Sequence, residues 1–299
     1  MSLSNKIKYL IINADDFGYC SNRDTAIIDL FKQQSISSTS LLINGSSAYQ
    51  ASVAAQLCNL PVGIHLNLTE GRPVTDDLFK IRSLVNSQGL MHGKYGLRRE
   101  LEQGTIRREH VQHEIHMQIN KYKEFTGGKL PSHIDGHQHI HVHPLIVESV
   151  VRVAKEYHID YIRVPNDQTI DSLEMDQQPF YREIVQEARM AMNIFDRHSL
   201  IYPKYFLGIT LMGKEFTLKN IERCLQMLEK SQTENIYVEL MCHPGHQCDR
   251  FIGGCGTNTP DEFSQSADRE HEYRLLSSRQ LKVLFEKYNV QLCSHACMC

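Results

Sequence analysis

Short apolar, β-branched runs alternate with amphipathic stretches along almost the whole chain. The runs fall at residues 7–12, 36–43, 62–68, 130–135, 161–164, 205–211, 236–241 and 290–293. Their brevity and their content of Ile, Val, Leu and Tyr predict strands. Between them, residues 24–33, 46–57, 107–125, 144–157, 182–194, 217–230 and 270–288 place apolar side chains at three- and four-residue spacing, the period of a helix with one buried face. Strand and helix therefore alternate through seven or eight units. Such alternation implies a mostly parallel sheet, and in a chain of 299 residues the number of units favours a closed or nearly closed (β/α) barrel over an open doubly wound sheet. No Pro-, Gly- and Ser-rich linker interrupts the pattern, so residues 1–299 are expected to form a single (β/α)-barrel domain, with loop insertions near 69–101 and 243–268. Each insertion follows a strand bearing polar residues, which is where barrels build their sites.

Composition narrows the function classes. Apolar residues make up 41% and charged residues 22%, as in ordinary globular chains. The formal charge of −3 and the lack of a long basic run leave no electrostatic footprint for nucleic acid. No apolar stretch approaches the length of a membrane span, and the N-terminus lacks the tripartite pattern of a secretory signal, so a cytoplasmic protein with no membrane partner is expected. The nine cysteines, an odd number, point to reduced thiols; Cys293, Cys297 and Cys299 match no common zinc spacing.

Chemistry-bearing residues gather at the ends of the predicted strands. The first strand runs out into Asn13-Ala14-Asp15-Asp16-Phe17-Gly18. Adjacent carboxylates leaving a buried strand need a cation or hydrogen-bond donors to receive them, because each raises the pKa of the other. In the third strand His65, Asn67 and Thr69 share one face by the two-residue period. Five of the sixteen histidines lie within Ser132-His133-Ile134-Asp135-Gly136-His137-Gln138-His139-Ile140-His141-Val142-His143, a density that indicates metal. Only some can ligate one ion, since at roughly 3.3 Å per residue the outermost two would lie about 33 Å apart if extended. A strand ending near Asp135 and a turn at Gly136 put His137 at the strand's carboxyl end and leave His133 and Asp135 to orient a ligating imidazole, while His139, His141 and His143 fall in the turn and helix entry before Pro144, each beside a ligand, facing substrate or simply exposed. Late in the chain, the strand containing Glu239 ends in His243 before Pro244-Gly245, and Arg163 ends another strand, where it could hold a site carboxylate or pair on the surface. Cys242 has no evident partner for nucleophilic work beyond the adjacent His243. One carboxylate and two imidazoles would supply the three protein ligands of an open metal site, leaving a carboxylate and a histidine as acid and base. A glycosidase would need two carboxylates flanking the substrate, whereas Asp15 and Asp16, adjacent on a strand, are expected to point to opposite sides.

The run N-A-D-D-F-G, then G-I-H-L-N-L-T, S-H-I-D-G-H-Q-H-I-H-V-H-P and E-L-M-C-H-P-G, occurring in that order over most of the chain, resembles the YdjC-like carbohydrate deacetylase family, which includes chitooligosaccharide deacetylases. The resemblance implies a barrel related to polysaccharide deacetylases that removes acetyl groups from N-acetylated sugars. It implies Asp16, His65 and His137 as metal ligands, Asp15 as general base and His243, protonated, as general acid. One divalent ion is implied, magnesium by the family and zinc by the nitrogen-rich ligand set. His133, Asp135, His139, Arg163 and Glu239 remain as residues holding ligands or facing substrate. The partner is a small carbohydrate, with a homo-oligomer left open. A metal-dependent phosphoesterase acting on a sugar phosphate and a non-catalytic sugar-binding relative are the alternatives.

Overall fold

The apolar runs become the strands of one parallel sheet in a computed structural model that describes residues 7–171, 179–231, 235–248, 252–256 and 266–298. These strands are β1 (Ile7–Phe17), β2 (Ser38–Leu41), β3 (Val62–Leu66), β4 (Ile134–Gly136), β5 (Tyr205–Leu207), β6 (Asn235–Cys242) and β7 (Val290–Leu292). Their order is β4-β3-β2-β1-β6-β5, and β7 lies beside the first half of β1. From Leu10 to Phe17, β1 is buried at every position, as a central parallel strand covered on both faces must be. The sheet curls. Parallel bridges between Ile134 and Ile162, and between Asp167 and Phe206, carry the segment from 161 to 167 across the interval between β4 and β5.

Around the sheet lie α1 (Ser21–Lys32), α2 (Ala48–Cys58), α3 (Lys94–Glu102), α4 (Arg108–Phe125), α5 (Val147–Glu156), α6 (Pro179–Arg197), α7 (Leu218–Glu229), α8 (Asp268–Leu276) and α9 (Arg279–Lys287). Apolar side chains from these helices close over the strands in one large cluster that includes Leu30, Ile115, Val150, Ala188, Leu225 and Leu281. The concave side of the curl is polar instead: Asn13, Asp135, Arg163 and Glu239 are all completely buried. Among the described residues, no helix is long and apolar enough to cross a membrane.

Three elements differ from the sequence pattern for identifiable reasons. Residues 161–164 make bridges without a regular strand, because Pro165 follows at once and cannot donate to a ladder. The stretch 270–288 is two helices, α8 and α9, since the Ser278 side chain accepts from Leu281 N and starts a new helix there. Within 69–101, which reads as irregular, α3 forms; its sequence is strongly polar with an interior Gly96, and tertiary contacts supply what propensity lacks. Arg98 reaches from α3 to α6, donating to both oxygens of Glu187 at 2.7 and 2.9 Å and to Glu183 at 3.0 Å. The insertion at 243–268 is described only at 243–248, 252–256 and 266–268; the remainder of that expectation, residues 249–251 and 257–265, and Cys299 lie outside the described residues. The described cysteines are free thiols.

Candidate active site at the carboxyl ends of the strands

At the end of β1 the ladder slips. Register against β2 shifts between Ala14 and Phe17, and Asp16 takes a left-handed conformation, φ 63°. That bulge overturns the simple alternation expected of Asp15 and Asp16: both carboxylates line the same cleft. Gly18 follows at φ 91°, where a Cβ would approach Leu41 Cδ1 to 2.9 Å. Asp24, whose carboxyl is pushed up to about 6 by burial, fastens the turn by accepting from Gly18 N at 2.6 Å and Ser47 Oγ at 2.5 Å.

Asp16 stands at the centre of the cluster. Its Oδ2 is held by Arg23 at 3.2 Å and Arg269 at 3.1 Å, while Oδ1 faces His137 Nδ1 at 3.0 Å and His65 Nε2 at 3.4 Å. Each imidazole is gripped from behind by a second carboxylate: His65 Nδ1 lies 2.8 Å from Asp135 Oδ1, and His137 Nε2 lies 3.0 Å from Glu70 Oε2. Candidate ligand atoms from Asp16, His65 and His137 lie within 4.8 Å of one another. Five carboxylates, on Asp15, Asp16, Glu70, Asp135 and Glu239, engage three guanidiniums, on Arg23, Arg163 and Arg269, together with these two imidazoles. Burial opposes charge on the imidazoles, yet Asp135 and Asp16 raise His65 to about 10, and Asp16 and Glu70 raise His137 to about 9. The carboxylates around the two rings thus favour positive charge between them, which a divalent ion would also supply. Two ring nitrogens and one carboxylate oxygen, with the rings already oriented from behind, fit such an ion.

Asp15 is fixed differently. Arg163 donates to both its oxygens, Nη1 to Oδ2 at 2.5 Å and Nη2 to Oδ1 at 2.7 Å, and Asn13 Nδ2 adds a bond at 2.8 Å. The same guanidinium meets Asp135 at 3.0 Å and Glu239 at 2.7 Å. Although Asp15, His65 and Asp135 also come within ligand distance of one another, Arg163 already supplies the cation there. His243 follows β6, with Nε2 4.0 Å from Asp15 Oδ2 and its backbone N–H donating to Glu272 Oε2 at 2.5 Å. Burial, reinforced by the charge of Arg269, lowers His243 to about 3. The imidazole is uncharged at neutral pH, whereas the resemblance implies a protonated acid.

The histidine-rich run divides. Gln138 and His139 adopt left-handed φ of 54° and 58° inside the 3₁₀ turn His137–Val142, a conformation costing about 1 kcal/mol or more per residue outside glycine. The twist turns both His137 and His139 toward the cleft. His139 is held far below its usual range by burial and then by Arg163. His141 turns away to the Arg163 carbonyl, 3.0 Å from Nε2; His143 lies 3.8 Å from Glu187; and His133 stacks on His295 with centroids 3.7 Å apart. Of the polar face expected on β3, only His65 lines the cleft. The strand stops at Leu66, and Asn67 instead closes a turn by accepting from Thr69 N and Glu70 N. Glu70, Arg23, Arg269, Glu272 and Lys94 escape sequence reading. Glu70 follows Thr69 directly, but falls out of phase with the two-residue period that singles out His65; the others sit in helices or at their starts with no distinguishing pattern.

Known proteins are similar to this chain over nearly its whole length. Residues 9–287 match the family described as YdjC-like protein. A carbohydrate deacetylase of Xenopus laevis is 39% identical over 98% of this chain and 99% of its own length. The corresponding protein of Homo sapiens is 33% identical, covering 95% of this chain and 89% of its own, and a chitooligosaccharide deacetylase of Yersinia enterocolitica is 30% identical over 97% and 98%. A crystal structure from Enterococcus faecalis V583, provisionally described as a cellobiose-phosphate cleavage protein, superimposes with a TM-score of 0.74 at 23% identity, covering 98% of this chain and 99% of that one. With the family match over residues 9–287 and the whole-length identities in agreement, the chain belongs to the YdjC-like protein family.

Proposed function

We propose that this protein is a metal-dependent carbohydrate deacetylase that hydrolyses the acetamide of an N-acetylated sugar or chitooligosaccharide-type substrate. The observation that carries the reading is the meeting of Asp16 Oδ1, His65 and His137 in one cleft with Asp15 and His243. The names borne by the whole-length relatives support the same substrate class. Asp16, His65 and His137 would hold the ion. A bound divalent ion supplies Lewis acidity, lowering the pKa of water and polarising an acyl oxygen.

The side chains divide the remaining work. Arg163 and Asn13 fix Asp15, yet a carboxylate has about four lone-pair sites. Oδ2 therefore retains one toward His243, from which Asp15 takes a proton from the attacking water. His243, uncharged at rest, receives that proton across the 4.0 Å interval and delivers it to the departing amine, so the acid is charged within the reaction rather than before it. Arg23 and Arg269 keep Asp16 Oδ2 engaged and leave Oδ1 to the ion. Bound to two guanidiniums and two imidazoles, Asp16 is no candidate for a glycosidase acid. Lys94, Phe180 and Tyr181 on the outer wall, with the Lys94 Nζ 3.7 Å from the Phe180 centroid, form the surface against which a sugar ring would lie.

Purified protein incubated with N-acetylated mono- and disaccharides, after chelation and after re-addition of zinc or magnesium, should release acetate only with metal. Full activity after chelation, or no acetate from any member of the panel under either metal, would overturn the reading.

A further inference from the structure

Glu70 is the carboxylate behind His137, and the structure is organised to put it there. Its Oε2 lies 3.0 Å from His137 Nε2, while Oε1 accepts from Tyr19 Oη at 3.4 Å. The backbone presenting it is held by side-chain amides. Asn67 Oδ1 accepts from Glu70 N at 2.9 Å, and Asn67 Nδ2 donates to Glu70 O at 2.8 Å. Asn44 Nδ2 donates to Glu70 O at 3.3 Å and Arg72 O at 2.8 Å. Gln118, fully buried on α4, clamps both backbone groups of Asn67 at 3.1 and 2.6 Å. At Gly71, φ 80°, a Cβ would come within 1.9 Å of the Cys255 carbonyl, so only glycine fits beside that strand of chain, and Arg72 N donates to the same carbonyl at 2.7 Å.

The arrangement mirrors that of the other imidazole with the nitrogens exchanged. His65 gives Nδ1 to Asp135 and turns Nε2 to Asp16; His137 gives Nε2 to the Glu70 carboxylate and turns Nδ1 to Asp16. A neutral imidazole has one N–H and one lone pair, and whichever nitrogen donates to an outer partner leaves the other to ligate. We propose that Glu70 is a positioning residue: it accepts the Nε2–H of His137, fixes the tautomer whose lone pair is on Nδ1, and so completes the metal site. The inference rests on the metal-dependent reading above and assigns that site a fourth residue, which does not itself ligate.

The test is titration of the full-length protein with Co(II), followed by its visible spectrum, for wild type, Glu70→Ala and Glu70→Gln, with folding checked by circular dichroism. Loss of an outer partner typically weakens metal affinity about 10–100-fold, the result expected for Glu70→Ala. Glu70→Gln retains an oxygen able to accept the Nε2–H; it should stay within about threefold of wild type with an unchanged spectrum, because the ligands are the same. Equal affinity in Glu70→Ala and wild type would overturn the positioning role. So would a Glu70→Gln variant as weak as Glu70→Ala with an altered spectrum, which would make Glu70 a ligand. Failure of the wild type itself to bind Co(II) would instead remove the metal-dependent reading, and this inference with it.

Discussion

Replacing Arg163 by Met removes the cation on which the interior of the curled sheet depends. The guanidinium is wholly buried and bonds Asp15, Asp135 and Glu239, so its loss leaves these buried carboxylates facing one another without their shared cation. Breaking a buried pair from one side costs about 3–5 kcal/mol. With an unfolding entropy of about 2.1 cal/mol/K per residue over 299 residues, that is a fall in Tm of about 5–8 °C. The penalty carries a pH signature. Arg163 is the largest favourable influence holding Asp135 well below the usual carboxylate range against burial; without it, burial is expected to lift the folded-state pKa of Asp135 above its unfolded value. Groups with raised pKa add stability below the unfolded pKa and lose it as pH rises through the folded one. The variant's deficit should therefore be largest at pH 8 and shrink toward pH 5, by up to about 1.4 kcal/mol per pH unit for each carboxylate that takes up a proton. Urea denaturation of both proteins at pH 5, 6.5 and 8 measures this directly. Arg163→Lys, which keeps a charge but loses the fork, should fall between them. Indistinguishable midpoints for wild type and Arg163→Met at all three pH values would refute the reasoning.

The acidic pair should separate by role: Asp15→Asn should keep metal and lose about 10² to 10⁴ in rate, whereas Asp16→Asn should lose metal affinity, with metal content and acetate release scored side by side. Identical behaviour of the two variants would contradict the division. His243→Ala should slow an acetamide by about 10² or more while sparing an activated ester of the same sugar, whose leaving group needs no proton. Since His243 is held near 3, the wild-type rate should show no alkaline limb that disappears in this variant; one that does would mean the imidazole is charged before the reaction. Burial lowers His141 to about 4 from 6.5, so the folded state binds fewer protons than the unfolded one, and stability is lost as pH falls from 6.5 toward 4, by up to about 3 kcal/mol from this group. His141→Gln should flatten that acid limb in denaturation curves; an unchanged slope would show that other groups carry it.

Much of the architecture is legible in local periodicity, because a parallel sheet buried on both faces selects continuous β-branched runs, and the helices covering it select one apolar stripe. The strand ends bearing Asp16, His65, His137 and His243 are legible for the same reason, since a polar residue closing a buried run stands out. Periodicity says nothing about where a ladder slips or a chain turns left-handed. The bulge after Ala14 and the left-handed residues Asp16, Gln138 and His139 decide that both aspartates and two histidines of the rich run face one cleft. Nor does it reveal partners brought together from afar: Arg269 reaches Asp16 across 253 residues, and Glu70 meets His137 across 67. Such meetings are settled by the packing of α1, α8 and the loop after β3 around the rim, as is the uncharged state of His243, which depends on burial and on the nearby Arg269. Residue type and spacing along the chain determine which chemistry is available; the desolvation and neighbouring charge that set each group's protonation exist only once distant segments have closed over it.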